Sequence, residues 1–217
     1  MDQYLNRCQA GITLVKALHQ FKNNKDVIIL ALPRGGVPVA YEVAVSLNIP
    51  LDVFIVRKLG VPGYHELAMG AISQGGITVL NHDILGEYQV TEQEIEAVIA
   101  HERLELERRE KVYRGTRPAL SLLDKTVILI DDGVATGATI TAAIKSIRHQ
   151  HPRQLIAAVP VAEKSIKLSL ASLIDDFVCP LVVESLQSVG AWYDDFSQTE
   201  DVEVCELLAT ANKNLNK

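Results

Sequence analysis

The chain has 217 residues, 48% of them hydrophobic and 22% charged, with a net charge of −6 at neutral pH. That size and apolar content suit one domain with its own core, needing no disulfide or metal staple. The acidic balance argues against a broad nucleic-acid-binding face, and no apolar run approaches the ~20 residues of a membrane-spanning helix. Cys8, Cys179 and Cys205 are far apart and form no Cys-x-x-Cys pair, which reads as free thiols in a reducing compartment. The first residues show no basic segment followed by an apolar stretch, so a soluble cytoplasmic protein is expected.

Leu5, Ile12, Val15, Leu18 and Phe21 recur close to helical spacing and predict an N-terminal helix over residues 4–21. Val27-Ile28-Ile29-Leu30-Ala31 reads as a short strand buried on both faces. Leu32-Pro33-Arg34-Gly35-Gly36-Val37-Pro38 follows, then a helix from about Val39 to Leu47. A glycine turn between strand and helix, carrying an arginine, has the makings of an anion site: glycines expose backbone N–H groups and Arg34 adds charge. Taken alone, the same pattern describes an ordinary turn with a solvated arginine. A strand over Leu51–Val56 runs into Arg57-Lys58 and a Gly/Pro-rich segment ending at Tyr64-His65-Glu66. His65 and Glu66 are a candidate proton-transfer pair, or simply solvated. Residues 67–72 and 77–80 flank Ser73-Gln74-Gly75-Gly76 and predict a β-hairpin. Thr91-Glu92-Gln93-Glu94 is a capping box opening a long helix to about Tyr113, with Ile95, Val98, Ile99, Leu106 and Tyr113 on one face. The pairs Glu105–Arg109 and Glu107–Lys111 favour a solvated amphipathic helix there. The arginines at 114 and 117 suggest no ligand.

Residues 126–139 carry the strongest chemistry. The run Thr126-Val127-Ile128-Leu129-Ile130 predicts a second buried strand, followed by Asp131-Asp132, then Gly133-Val134-Ala135-Thr136-Gly137-Ala138-Thr139 opening a helix to about His149. Glycines, hydroxyls and a helix N-terminus suit a phosphate. Two carboxylates beside an anion need a ligand that also offers hydroxyls or brings a divalent cation, as a sugar phosphate with a pyrophosphate does. Further elements follow: a strand over 155–161, a helix over 165–173, a strand over 176–183 and a closing helix from Glu203 to Ala211. Strands alternating with helices predict a mostly parallel sheet, with ligands outside the carboxyl ends of its strands. Ahead of the closing helix, Ser188-Val189-Gly190-Ala191-Trp192-Tyr193-Asp194-Asp195-Phe196 clusters aromatics in an aromatic-poor chain. Such a cluster can stack a flat ligand or anchor the C-terminal segment.

The 126–139 stretch resembles the signature of the type I phosphoribosyltransferases, and the wider chain is similar to a group of predicted members with Pro-Arg-Gly-Gly-Val-Pro near the start. The resemblance implies one domain over residues 1–217: an α/β fold with a mostly parallel central sheet flanked by helices. It also implies a flexible loop at about 57–76, an inserted helix at about 91–113 and a C-terminal hood at about 184–217. It implies that Asp131 and Asp132 hold the ribose hydroxyls and, directly or through water, Mg²⁺. Ala135, Thr136, Gly137, Ala138 and Thr139 would wrap the 5-phosphate. Arg34, Gly35 and Gly36 would take the pyrophosphate, with Arg57 and Lys58 neutralising it. Val189 and Trp192 would border a nucleobase-like acceptor. Gly133 departs from the pattern, which usually has a bulky apolar residue there. Ala135 stands where members acting on 6-oxopurines carry an acid, so the motif looks like the adenine type. Should a proton need to move, Glu66, His65 and Asp194 are the candidates. The implied activity is transfer of a phosphoribosyl group from phosphoribosyl pyrophosphate to a nitrogen acceptor, releasing pyrophosphate, in a homodimer without nucleic-acid or membrane partners. The alternative is a non-catalytic sensor of the same ligand. A phospho-acceptor receiver domain fits less well, because its acid pair follows the first core strand, whereas here that strand ends in Leu32-Pro33-Arg34.

Overall fold

Strands β1 (Val27–Ala31) and β6 (Thr126–Ile130) lie side by side at the centre of the molecule, with every residue buried. The computed structural model describes residues 3–214; the side chains of His65, Glu66 and Asn214 also lie outside the described set. The two strands are the middle of a five-stranded sheet ordered β2 (Leu51–Val53), β1, β6, β7 (Gln154–Ala158), β9 (Asp176–Val178), all parallel. Side chains alternate across a strand. Val27, Ile29, Ala31, Ile128 and Ile130 therefore join one core with α1 (Arg7–Ala17), α2 (Gly36–Leu47) and α7 (Asp201–Asn214). Ile28, Leu30, Val127 and Leu129 join the opposite core with α5 (Ala138–Arg148) and α6 (Lys164–Leu170). Burial on both faces is why these strands are uninterrupted apolar runs.

The chain goes from β1 through α2 to β2 on one side, and from β6 to β7 and β9 on the other. Strand order thus reverses between β1 and β6, and the loops leaving their carboxyl ends diverge. Parallel sheets bind ligands in that crevice.

A second, antiparallel sheet holds β3 (Val56–Val61), β4 (Tyr64–Ser73) and β5 (Thr78–Leu80). The expected hairpin is present, with Gly70 opposite Leu80 and Ile72 opposite Thr78. The segment expected as a flexible loop over 57–76 is instead mostly strand. Leu59, Val61, Met69 and Ile72 are buried in the core shared with α4 (Glu92–Arg114), which gives this segment an apolar reason to be ordered. Helix α3 (His82–Glu87) connects the hairpin to α4, whose Thr91–Glu94 capping box forms as predicted. Leu106 and Tyr113 of α4 are buried, but so is Arg114.

Three further expectations change. Helix α1 is shorter than residues 4–21 and keeps only part of the expected face: Leu18 is buried and Val15 and Phe21 pack on the core, but Leu5 and Ile12 are 56% and 47% exposed, and Ala10, Gly11 and Leu14 are buried as well. Glycine stands at position 11 because α1 lies close on α2; a Cβ there would fall 2.7 Å from the Val39 carbonyl oxygen, while Ala10 packs with Tyr4 and Tyr193. The strand expected over 176–183 divides at Cys179-Pro180 into β9 and β10 (Leu181–Val183), the latter pairing with β8 (Val161–Glu163) in a small sheet of its own. Proline lacks the N–H that a continuous strand requires. Finally, the segment expected as a hood divides too: α7 buries Val204, Leu208 and Ala211 in the main core, and only the residues before it approach the crevice.

Candidate active site

Asp131 and Asp132 follow β6 at the carboxyl edge of the sheet, and Gly35-Gly36 follow β1 beside them. Both glycines are needed for that proximity. A Cβ on Gly35 would fall 1.9 Å from Asp132 Oδ2, and one on Gly36 would fall 2.8 Å from the Ile130 carbonyl and 3.2 Å from Asp131 Oδ1. Two motifs read separately in the sequence therefore form one surface. The Pro33–Arg34 peptide is cis.

Beyond the acids the chain is pinned by Val134, whose N–H donates to the Val161 carbonyl at 3.0 Å. Gly137 then caps α5 with φ +75°, a conformation that favours glycine. The first N–H groups of a helix have no acceptor within it. Here they border a cavity of about 110 Å³ lined by Asp131 and by residues from Gly133 to Ile140, including Thr136 and Thr139. The shape and donors suit a phosphate group, next to carboxylates that suit hydroxyls.

The Phosphoribosyl transferase domain family model matches residues 1–180. The chain belongs to that family. A Mycobacterium tuberculosis protein (strains H37Rv and CDC 1551), named provisionally as a phosphoribosyl transferase, is 40% identical over 213 residues, covering 98% of this chain and 48% of its own length. The present chain thus spans about half the length of the curated relatives it matches. The crystal structure of TT1426 from Thermus thermophilus is similar throughout, with a TM-score of 0.83 and 37% identity over 96% of this chain and 98% of that one.

In this phosphoribosyl transferase domain the acid pair is electrostatically tense. Asp131 Oδ1 accepts the Asp132 N–H at 2.9 Å. Burial, then the adjacent Asp132 charge, pushes the Asp131 carboxyl well above the usual carboxylate range. Burial also raises Asp132, opposed by Arg7. The Arg7 Nε donates to Asp132 Oδ2 at 2.9 Å. Tyr193 donates its hydroxyl to the Asp132 carbonyl, and burial raises its pKa so that the proton stays.

Arg7 and Tyr193 belong to a wall that the sequence reading missed. Tyr4 forms a parallel bridge with Tyr193, its N–H donating to the Trp192 carbonyl and its carbonyl accepting the Asp194 N–H, each at 2.9 Å. The Tyr4 hydroxyl donates to the Pro160 carbonyl at 2.9 Å. Segments near both ends of the chain therefore close one side of the crevice. A signal was available: Arg7 is the first residue of α1, where the helix dipole disfavours a cation.

The expected phosphate-neutralising residues are placed differently from one another. Arg34 lies at the crevice with its guanidinium 3.8 Å from both Glu200 and Asp201. Arg57 and Lys58 are consecutive in β3 and so face opposite sides. Arg57 donates to Glu102 of α4 at 2.7 Å, while Lys58 is exposed. Val189 packs on the motif: a Cβ on Gly133 would fall 2.6 Å from its Cγ1, which accounts for glycine at that position. Trp192 lines a separate open cavity of about 440 Å³ with Gln3, Ser185 and Gln187; Tyr193 is the aromatic that touches the acid pair. Asp194 is exposed. The proposed roles of His65 and Glu66 rest on side chains outside the described residues.

Proposed function

We propose that this domain binds phosphoribosyl pyrophosphate with Mg²⁺ across the β1/β6 crevice. It transfers the phosphoribosyl group to a nitrogen of a nucleobase-like acceptor and releases pyrophosphate. The supporting observation is the contact of Gly35 with Asp132 beside the Thr136–Thr139 cradle, which allows one extended ligand to meet all three. The 5-phosphate sits on residues Ala135–Thr139 and orients the reacting carbon. Asp131 and Asp132 accept the ribose hydroxyls. Arg34, Gly35 and Gly36 face the pyrophosphate, joined either by Lys58 or, once released from Glu102, by Arg57, since the two point to opposite sides of β3.

In the transfer, the bond from C1 to the pyrophosphate oxygen breaks as the acceptor nitrogen bonds to C1. Positive charge builds on the ring, and the nearby carboxylates favour it. The acid pair also fits a hard divalent cation, since two adjacent, partly buried carboxylates whose ionisation is costly gain from one. When bound, Mg²⁺ supplies charge neutralisation for the departing pyrophosphate. Ala135 gives the cradle no acid or base; should the acceptor have to lose a proton, Glu66, His65 and Asp194 are the candidates.

Titration calorimetry with phosphoribosyl pyrophosphate and Mg²⁺ tests the binding, and exchange of labelled pyrophosphate into the substrate across a nucleobase panel tests the chemistry. Absence of binding overturns the proposal. The second reading, a non-catalytic regulatory binder, is favoured by the engagement of Arg57 with Glu102 and by the acids facing Arg34. Binding without exchange for any base selects it.

A further inference from the structure

Arg7 is held on three sides. Its Nε meets Asp132 Oδ2 at 2.9 Å, one terminal nitrogen donates to the Ser197 carbonyl at 2.7 Å, and its guanidinium carbon lies 3.9 Å above the centroid of the Phe196 ring. Phe196 packs on Tyr193 with ring centroids 5.1 Å apart, and the Tyr193 hydroxyl returns to the Asp132 carbonyl. The contacts close a circuit, Asp132–Arg7–Phe196–Tyr193–Asp132, that grips Asp132 by both its side chain and its main chain. Arg7 and Asp132 side chains are 12% and 14% exposed, so the pair is poorly screened by water. None of the other three members belongs to the acid–glycine–threonine motif.

We infer that Arg7 is a positioning residue for the ribose-binding carboxylate: by occupying Oδ2 it selects one orientation of Asp132 and leaves Oδ1 for a sugar hydroxyl. The inference rests on the site reading above, in which the acid pair binds the ribose. A freely rotating carboxylate would have to be ordered when the sugar arrives, and a fixed one avoids that cost. A planar guanidinium braced by a ring and a carbonyl suits this task better than a flexible ammonium, because its donors are rigidly placed.

The test uses the full chain, with ribose 5-phosphate and 2,3-dideoxyribose 5-phosphate as probes in metal-free titration calorimetry. The dideoxy sugar keeps the phosphate and removes the hydroxyls. Wild type is expected to prefer ribose 5-phosphate by about tenfold. In Arg7→Gln that preference falls to near parity while affinity for the dideoxy probe stays within about twofold of wild type. Arg7→Lys recovers part of the preference. Phe196→Leu, which removes the ring but keeps the ion pair, lowers the preference less than Arg7→Gln and serves in its place if that variant does not fold. An unchanged preference in Arg7→Gln, or in Phe196→Leu where that variant stands in, overturns the inference. So does an equal loss for both probes, which would make Arg7 a brace for the chain ends only. A wild type that does not distinguish the probes overturns the ribose-binding reading of the acid pair, and this inference with it.

Discussion

Gly35 sits against Asp132 so closely that a Cβ on residue 35 would overlap the carboxylate, 1.9 Å from Oδ2. The contact joins the turn after β1 to the turn after β6, and it is where the two halves of the crevice meet. Gly35→Ala must push the acid aside or open the crevice. Overpacking of this kind costs about 1–3 kcal/mol. We expect a lower melting temperature, by about 2–4 °C per kcal/mol, and affinity for Mg²⁺-phosphoribosyl pyrophosphate reduced at least about tenfold. Gly86→Ala is the control, because a Cβ there meets nothing within 4 Å; it should leave binding unchanged in the same calorimetric assay.

Asp131→Asn should stabilise the empty protein while destroying its binding. In the unfolded chain the Asp131 carboxyl titrates near its ordinary value, about 3.9; in the folded protein burial and the Asp132 charge raise it. Folding therefore takes up a proton between those two values. Its contribution to stability is present below the unfolded pKa and is lost as pH rises through the raised folded one. Asparagine removes that loss and can still accept the Asp132 N–H through Oδ1. Melts at pH 5 and pH 8 should show the variant's advantage over wild type growing with pH. A constant difference across that range would contradict the electrostatic account of the site.

Asp52 and Arg114 form a buried pair away from the crevice. Arg114 Nε is 3.0 Å from both Asp52 oxygens, and Nη2 donates to the Val53 carbonyl and to Gln74 Oε1. This arginine ties the end of α4 to the edge strand β2 and to the turn before β5. Arg114→Ala strands a buried carboxylate, which costs about 3–5 kcal/mol, a fall in melting temperature on the order of 10 °C. Ligand affinity measured well below that melting point should stay at the wild-type value.

Gly133→Val should disturb the packing of the acid–glycine–threonine motif, since the new side chain meets Val189 Cγ1 and Val161 Cγ1, 2.6 and 3.0 Å from the Cβ position. The expected cost is about 1–3 kcal/mol. Val189→Ala in the same chain frees space and should return part of it, giving a favourable coupling in a double-mutant cycle. Additive effects, read from denaturant midpoints, would mean that the two residues do not share this contact.

Much of the fold is legible in short-range patterns. The strand over 27–31, the strand over 126–130 and the hairpin after residue 67 depend on unbroken apolar runs, alternation and a Gly-Gly turn. The buried face of α1 is only partly legible that way, because Gly11 is set by the close approach of α2 and Ala10 by its packing in the Tyr4–Tyr193 cluster rather than by their own hydrophobicity. The strand over 57–61 reads as loop because Arg57, Lys58 and Gly60 mask an alternation that tertiary packing of Leu59 and Val61 completes.

The parallel core, the acid–glycine–threonine motif after β6 and the glycine turn after β1 all follow from the sequence. Each is encoded in consecutive residues, where backbone conformation and burial impose their own pattern. Which charged groups meet is settled only when the chain packs. Arg7 reaches Asp132 across 125 positions, Arg57 turns to Glu102, and Arg34 faces Glu200 and Asp201. Long charged side chains choose partners by spatial proximity, and proximity between distant segments leaves no period in the chain to read.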